Sequence, residues 1–238
     1  MSKDIRFNRE RFDKGNKYYG TKGINPQTAM LRIEVPFVAG KGTYNFELKK
    51  AVQRATEKIL QRNDLFVARA FGVALMVEDD TRVGHAPLLS YPLLDSDALP
   101  EGIHGFTGTD AYIVYNGDLT MKTGQNVNYS RFPLAGFLHV PQTQPVAILN
   151  DEGTLVPSGI VPEFKLDNIL YELPEEVVFA GTQDHKITID IPSDSETDIT
   201  GPEGTTAYLV LLIPGWLYEG GTNEDYKRDS SNPYRMAI

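Results

Sequence analysis

Thr206-Ala207-Tyr208-Leu209-Val210-Leu211-Leu212-Ile213 decides the fold. From Tyr208 onward the residues of both alternating faces are apolar, so a strand here has no side that suits water. Such a run belongs inside a sheet covered on both faces. The apolar stretch continues to Trp216, broken by Pro214, and is too short to cross a bilayer as a helix.

Working outward, Leu65–Val77 is a second long apolar run, predicted to be a buried strand that ends at Glu78, Asp79 and Asp80. Ahead of it, Leu31, Ile33 and Val35 alternate with polar partners up to Pro36, and Tyr44, Phe46 and Leu48 alternate again beyond an Ala39–Gly42 turn. The pair reads as a hairpin. Leu48, Val52, Ala55 and Ile59 then recur at helical spacing, with Lys50, Arg54 and Lys58 on another face and Asn63 as a left-handed stop. This predicts one short helix. Downstream, Gly84–Gly108 reads as loop, and Asn116-Gly117-Asp118 between Ala111–Tyr115 and Leu119–Lys122 reads as a second hairpin. Further strands are predicted at Asn126–Phe132, Gly136–Val140, Val146–Leu149, Glu163–Leu166, Glu176–Phe179 and Lys186–Ile191, with an acidic surface loop over Ser193–Gly204.

Many short strands punctuated by Pro, Gly, Asn and Asp predict a mainly β fold. The expected form is an antiparallel β-sandwich or single jelly roll with one short helix and an extended basic N-terminal arm. The expected division is a flexible basic arm over 1–28, the β domain over 29–218 and a polar tail over 219–238. A chain of 238 residues can bury a sizeable core in one such domain. It has no cysteine, which excludes disulfides, thiolate metal sites and cysteine nucleophiles. The N-terminus, MSKDIRFNRERFDKG, has no apolar core of a secretory signal, so the expectation is a soluble protein without a membrane partner, made in the cytoplasm.

Charge is sorted along the chain. Residues 1–62 hold 14 basic and 6 acidic side chains, a net of +8, whereas residues 63–238 hold 9 basic and 26 acidic, a net of −17. The arm residues Lys3, Arg6, Arg9, Arg11, Lys14, Lys17 and Lys22 can neutralise phosphates without reading sequence, or can clamp an acidic neighbouring subunit.

Catalytic patterns are weak. His85, His104, His139 and His185 show no metal-ligand spacing, and no serine has a nucleophile-elbow context. The acid clusters Glu175/Glu176, Glu78/Asp79/Asp80 and Asp151/Glu152 sit at strand ends, where neighbours along a strand point to opposite faces. No enzyme and no cofactor is expected. The acidic loops offer oxygen donors for calcium at Asp95 and Asp97 with Glu101, and at Asp194 and Asp198 with Glu196, though neither follows an EF-hand. Trp216 and Tyr218 close the apolar strand, as core, as a subunit interface or as a sugar-stacking platform.

The basic arm, the many short strands and the closing strand Thr206–Ile213 resemble viral jelly-roll capsid proteins. The segments Asn63-Asp64-Leu65-Phe66-Val67, Tyr115-Asn116-Gly117-Asp118-Leu119 and Val140-Pro141-Gln142-Thr143-Gln144 are similar to bacteriophage virion proteins. The resemblance implies a non-enzymatic virion protein, capsid or capsid-associated, assembled in the host cytoplasm. Its implied partners are copies of itself, other virion proteins and, through the arm, nucleic acid without sequence preference. The competing expectation is a carbohydrate- or receptor-binding β-sandwich dependent on calcium.

Overall fold

The computed structural model describes Asp13 and residues 26–49, 54–96, 99, 102–124, 126–140, 146–149, 155–158, 169–194 and 196–220. Ten strands carry the fold: β1 (Gln27–Pro36), β2 (Thr43–Phe46), β3 (Leu65–Asp79), β4 (Asp118–Thr123), β5 (Asn126–Pro133), β6 (Val146–Leu149), β7 (Leu155–Ser158), β8 (Leu170–Ala180), β9 (His185–Asp190) and β10 (Thr205–Tyr218). They form two antiparallel four-stranded sheets, β1-β10-β3-β8 and β2-β9-β4-β5, with β6 and β7 as a separate hairpin. Leu31, Ile33, Phe66, Phe71, Leu209 and Leu211 of the first sheet share one buried core with Tyr44, Phe46, Leu119, Met121, Ile187 and Ile189 of the second. The two sheets therefore stack face to face as a β-sandwich.

The apolar strands lie where their sequence demands. β10 runs between β1 and β3, and its Leu209, Leu211 and Ile213 enter the inter-sheet core. Val210 and Leu212 point to the opposite face, where they cluster with Met30, Ala74 and Met76 of the flanking strands and with Ile169, Ala86 and Leu88. In β3 every residue except Arg69 and Asp79 is buried. Beyond the end of β8, Leu89 takes both backbone hydrogen bonds of Leu75 at 2.8 Å, which closes that stretch of the sheet edge.

Pro214 does not end β10, which continues to Tyr218. Proline has no N–H for the ladder, and the pairing of β10 with β3 shifts between Leu212 and Gly215 to absorb it. At Gly215 the backbones come so close that a Cβ would lie 2.2 Å from the Val67 carbonyl oxygen. Only glycine fits there.

Several sequence expectations are corrected. β1 and β2 are not a hairpin: β1 pairs with β10 and β2 with β9, so the turn around Gly40 (φ 69°) carries the chain from one sheet to the other. No helix occupies 54–63; Arg32 and Lys58 exchange backbone hydrogen bonds at 2.8 and 2.9 Å, and the Leu60 N–H donates to Leu48. The open edge of β1 captures this segment, outweighing its helical periodicity. Helical structure appears instead at Thr109–Asn116, a 3-10 helix, and at the 3-10 turn Leu134–Phe137. Ala111, Val114 and Tyr115 of that helix are buried at i, i+3 and i+4, so Asn116-Gly117 ends a helix rather than turning a hairpin. The hairpin lies one strand later, where Gly124 (φ 57°) joins β4 to β5. Gly136–Val140 is not a strand, because Leu134 and Phe137 insert together from the 3-10 turn. Pairing of Gln27 and Thr28 with Leu217 and Trp216 starts the β domain two residues inside the expected arm. The strand expected at Glu163–Leu166 lies outside the described residues.

Candidate functional site

On the outer face of the first sheet, a cluster of charges sits where the sequence offered only isolated residues. Glu34 of β1 has a fully buried side chain; it accepts from Arg32 Nε at 2.7 Å and from an Arg54 guanidinium nitrogen at 2.5 Å. The other guanidinium nitrogen of Arg54 reaches Glu78, whose second oxygen accepts from the Gly84 N–H at 2.6 Å. Glu57 uses one oxygen for the Glu34 N–H and the other for the Arg54 N–H, each at 2.9 Å. Arg54 also stacks over the Tyr208 ring, 4.0 Å from its centroid.

All six oxygens of Glu34, Glu57 and Glu78 thus hold a donor. Carboxylates so fully engaged act as a clamp fastening the segment after Arg54 to the edge of β1, not as a proton-transfer pair. The sequence signal was available only in part. Glu34 and Glu78 are charged residues within largely apolar runs, but the fork of Arg54 that joins them is a tertiary fact.

The described members of the expected calcium donors, Asp95, Asp194, Glu196 and Asp198, form no metal-sized group. Asp95 accepts from the Gly105 N–H at 3.0 Å. Asp194 accepts from the Glu196 N–H and the Thr197 hydroxyl, both at 3.0 Å, and these bonds, the hydroxyl foremost, hold its carboxyl below the usual range. Asp198 donates its backbone N–H to Asp110 at 3.0 Å. These bonds shape the loops themselves. Asp97, Glu101 and the pair Asp151/Glu152 lie outside the described residues. No three acids or histidines gather into a metal-sized group among the described residues. Asp79 and Asp80 are likewise occupied, by Thr81 and by the Thr206 hydroxyl, at 2.7 Å each.

Trp216 and Tyr218 are fully buried, on the outer side of the first sheet beside Leu65, Val67 and Ala180. A sugar platform needs a ring face open to solvent, and neither residue has one. At the far side of the sandwich, Tyr171 of β8 packs on Phe132 of β5 with centroids 4.7 Å apart, and both also meet Phe71. These rings close the gap between the sheet edges.

Of the histidines, His185 is the most constrained. Its Nε2 donates to the Ala180 carbonyl at 2.8 Å and its ring meets Phe179 edge to face. Burial pushes its pKa below the ordinary value, helped by Lys49 and opposed by the Ala180 bond and Asp184. His85 is exposed, and His104 and His139 are half-buried.

The arm residues Lys3, Arg6, Arg9, Arg11, Lys14, Lys17 and Lys22 lie outside the described residues. Gln27, the first residue of β1, lies opposite Leu217, near the end of β10. No helix among the described residues is long and apolar enough to cross a membrane. No protein-family model, curated protein or solved structure matches the chain.

Proposed function

We propose that the chain is a non-enzymatic structural protein of a bacteriophage virion, capsid or capsid-associated, that self-assembles through a jelly-roll β domain. The pairing of the strands carries this reading. With the β6–β7 hairpin set aside as an insertion, eight strands remain, and they pair first with last: β1 with β10, β2 with β9, β3 with β8 and β4 with β5. A long antiparallel ribbon folded back on itself has this nested order. Rolled up so that successive pairs alternate between two sheets, it yields β1-β10-β3-β8 and β2-β9-β4-β5, joined through β10·β3 and β9·β4.

Capsid, lectin and cupin domains share jelly-roll architecture, so topology by itself does not choose among them. Two features favour the first. A basic segment, the arm from Lys3 to Lys22, precedes β1, suited to a genome or to an acidic neighbour. The aromatic pair on which the sugar-binding reading depended is buried. Assembly then rests on repeated burial of modest surfaces between copies in the virion, made in the host cytoplasm.

The test is the solution mass of the native protein by light scattering, with electron microscopy of any large species, before and after deletion of residues 1–25. The expected result is a closed or ring-like assembly that the deletion impairs while the circular dichroism of the β domain persists. A monomer under all assembly conditions refutes the proposal, and unchanged particles from the truncated chain remove the arm from the mechanism.

A further inference from the structure

The outer face of the second sheet differs from that of the first: it is polar, and its charges are ordered. In the pairing of β4 with β9, Asp118 lies opposite Asp190, Thr120 opposite Thr188, and Lys122 opposite Lys186. Their neighbours Leu119, Met121, Ile187 and Ile189 point into the core, so these six share the outward face. Asp190, Lys122 and Lys186 are exposed, and Asp118 is partly so.

Like charges directly opposite each other destabilise a sheet, and here two such pairs stand on one face. Local compensation is slight. Asp190 accepts from the Thr43 hydroxyl at 2.7 Å, and Asp118 has Arg131 Nε at 3.8 Å on a side chain that is 84% exposed. Neither Lys122 nor Lys186 makes an ion pair among the described residues. The acidic pair and the basic pair are four residues apart along the strands, about 13 Å.

The threonine pair lies midway between them. A two-fold axis lying parallel to the sheet, above the Thr120/Thr188 pair and across the strands, turns a second copy face to face with the first and sets the aspartates of each over the lysines of the other. We propose that this face is a homotypic contact in which a second copy of the chain, turned by that axis, sets its Lys122 and Lys186 on Asp118 and Asp190 and receives the reciprocal pairs. A self-complementary patch is what an isologous interface requires, and the small threonines at the centre let the two sheets approach. The patch is modest against the roughly 800 Å² per partner of a standard interface, which suits a weak, salt-sensitive contact repeated in a larger array.

This contact goes beyond the virion reading and does not rest on it. Its test uses the full chain in sedimentation velocity over a concentration series, at low and high salt, with two charge-swapped variants. Lys122→Asp/Lys186→Asp makes these four positions acidic, and Asp118→Lys/Asp190→Lys makes them basic. Each variant by itself is expected to self-associate at least about tenfold more weakly than the parent at low salt, and an equimolar mixture to recover association. Should either swap unfold the chain, the neutral Lys122→Thr/Lys186→Thr chain decides, since it must also associate more weakly and lose salt sensitivity. Swapped chains that associate like the parent, or weakened chains that gain nothing on mixing, overturn the contact and leave the virion reading intact. A parent chain that stays monomeric at every concentration and salt overturns both.

Discussion

Replacing Arg54 by alanine removes a side chain that touches both Glu34 and Glu78. Glu34 keeps Arg32 at 2.7 Å, but among the described residues Glu78 is left with only the Gly84 N–H and no counter-charge. Breaking a buried ion pair on one side costs about 3–5 kcal/mol, because the remaining charge is stranded in a poor solvent. Arg54 is 24% exposed, so water relieves part of this, and the expected loss is about 2–4 kcal/mol. With an urea slope of about 2 kcal/mol/M, the unfolding midpoint falls by about 1–2 M. Trp216, the only tryptophan and fully buried, reports the transition by its fluorescence. Adding Glu78→Gln to the Arg54→Ala chain removes the stranded charge and is expected to recover a substantial part of the loss. A midpoint shift below about 0.5 M, or no recovery in the double variant, would refute the clamp and mark the cluster as an ordinary solvated one.

Two further outcomes follow from single positions. Because burial lowers the pKa of His185 below 6.5, the unfolded chain takes up its proton first as pH falls. The stability due to the neutral ring is therefore complete above pH 6.5 and declines as pH drops toward the folded value. Urea midpoints measured from pH 7.5 to 5 should show a smaller decline in His185→Gln, and an identical slope in both chains would remove His185 as the cause. Gly215→Ala places a methyl group 2.2 Å from the Val67 carbonyl oxygen, so the strands must part at the bulge. The expected cost is about 1–3 kcal/mol in the same urea assay, and an unchanged midpoint would show that the bulge relaxes freely.

The β class and its central strands were legible in the sequence because hydrophobic burial writes a local pattern. Tyr208–Ile213 is apolar at every position, and it lies between two strands with both faces covered. Ile187 and Ile189 alternate with polar residues, and they line the inner face of a sheet whose other side meets water. What the pattern could not supply was the partner of each strand. Leu48, Val52, Ala55 and Ile59 carry a helical spacing, but over residues 54–60 the unpaired edge of β1 offered hydrogen bonds that an isolated helix face could not match. Asn116-Gly117 suits a hairpin, but Ala111, Val114 and Tyr115 had a core to fill from a 3-10 helix.

The candidate surfaces divide in the same way. The sequence by itself determined the arm's charge and the residue types, including every aspartate, lysine and arginine named above. Only the tertiary structure decided that Arg54 bridges Glu34 and Glu78, and that Asp118 meets Asp190 while Lys122 meets Lys186. Glu34 and Glu78 are separated by more than forty residues, and β4 and β9 by more than sixty. Burial preference acts on each residue singly and is readable one residue at a time. Charge pairing acts between residues, and which residues meet depends on a register that the whole chain settles together.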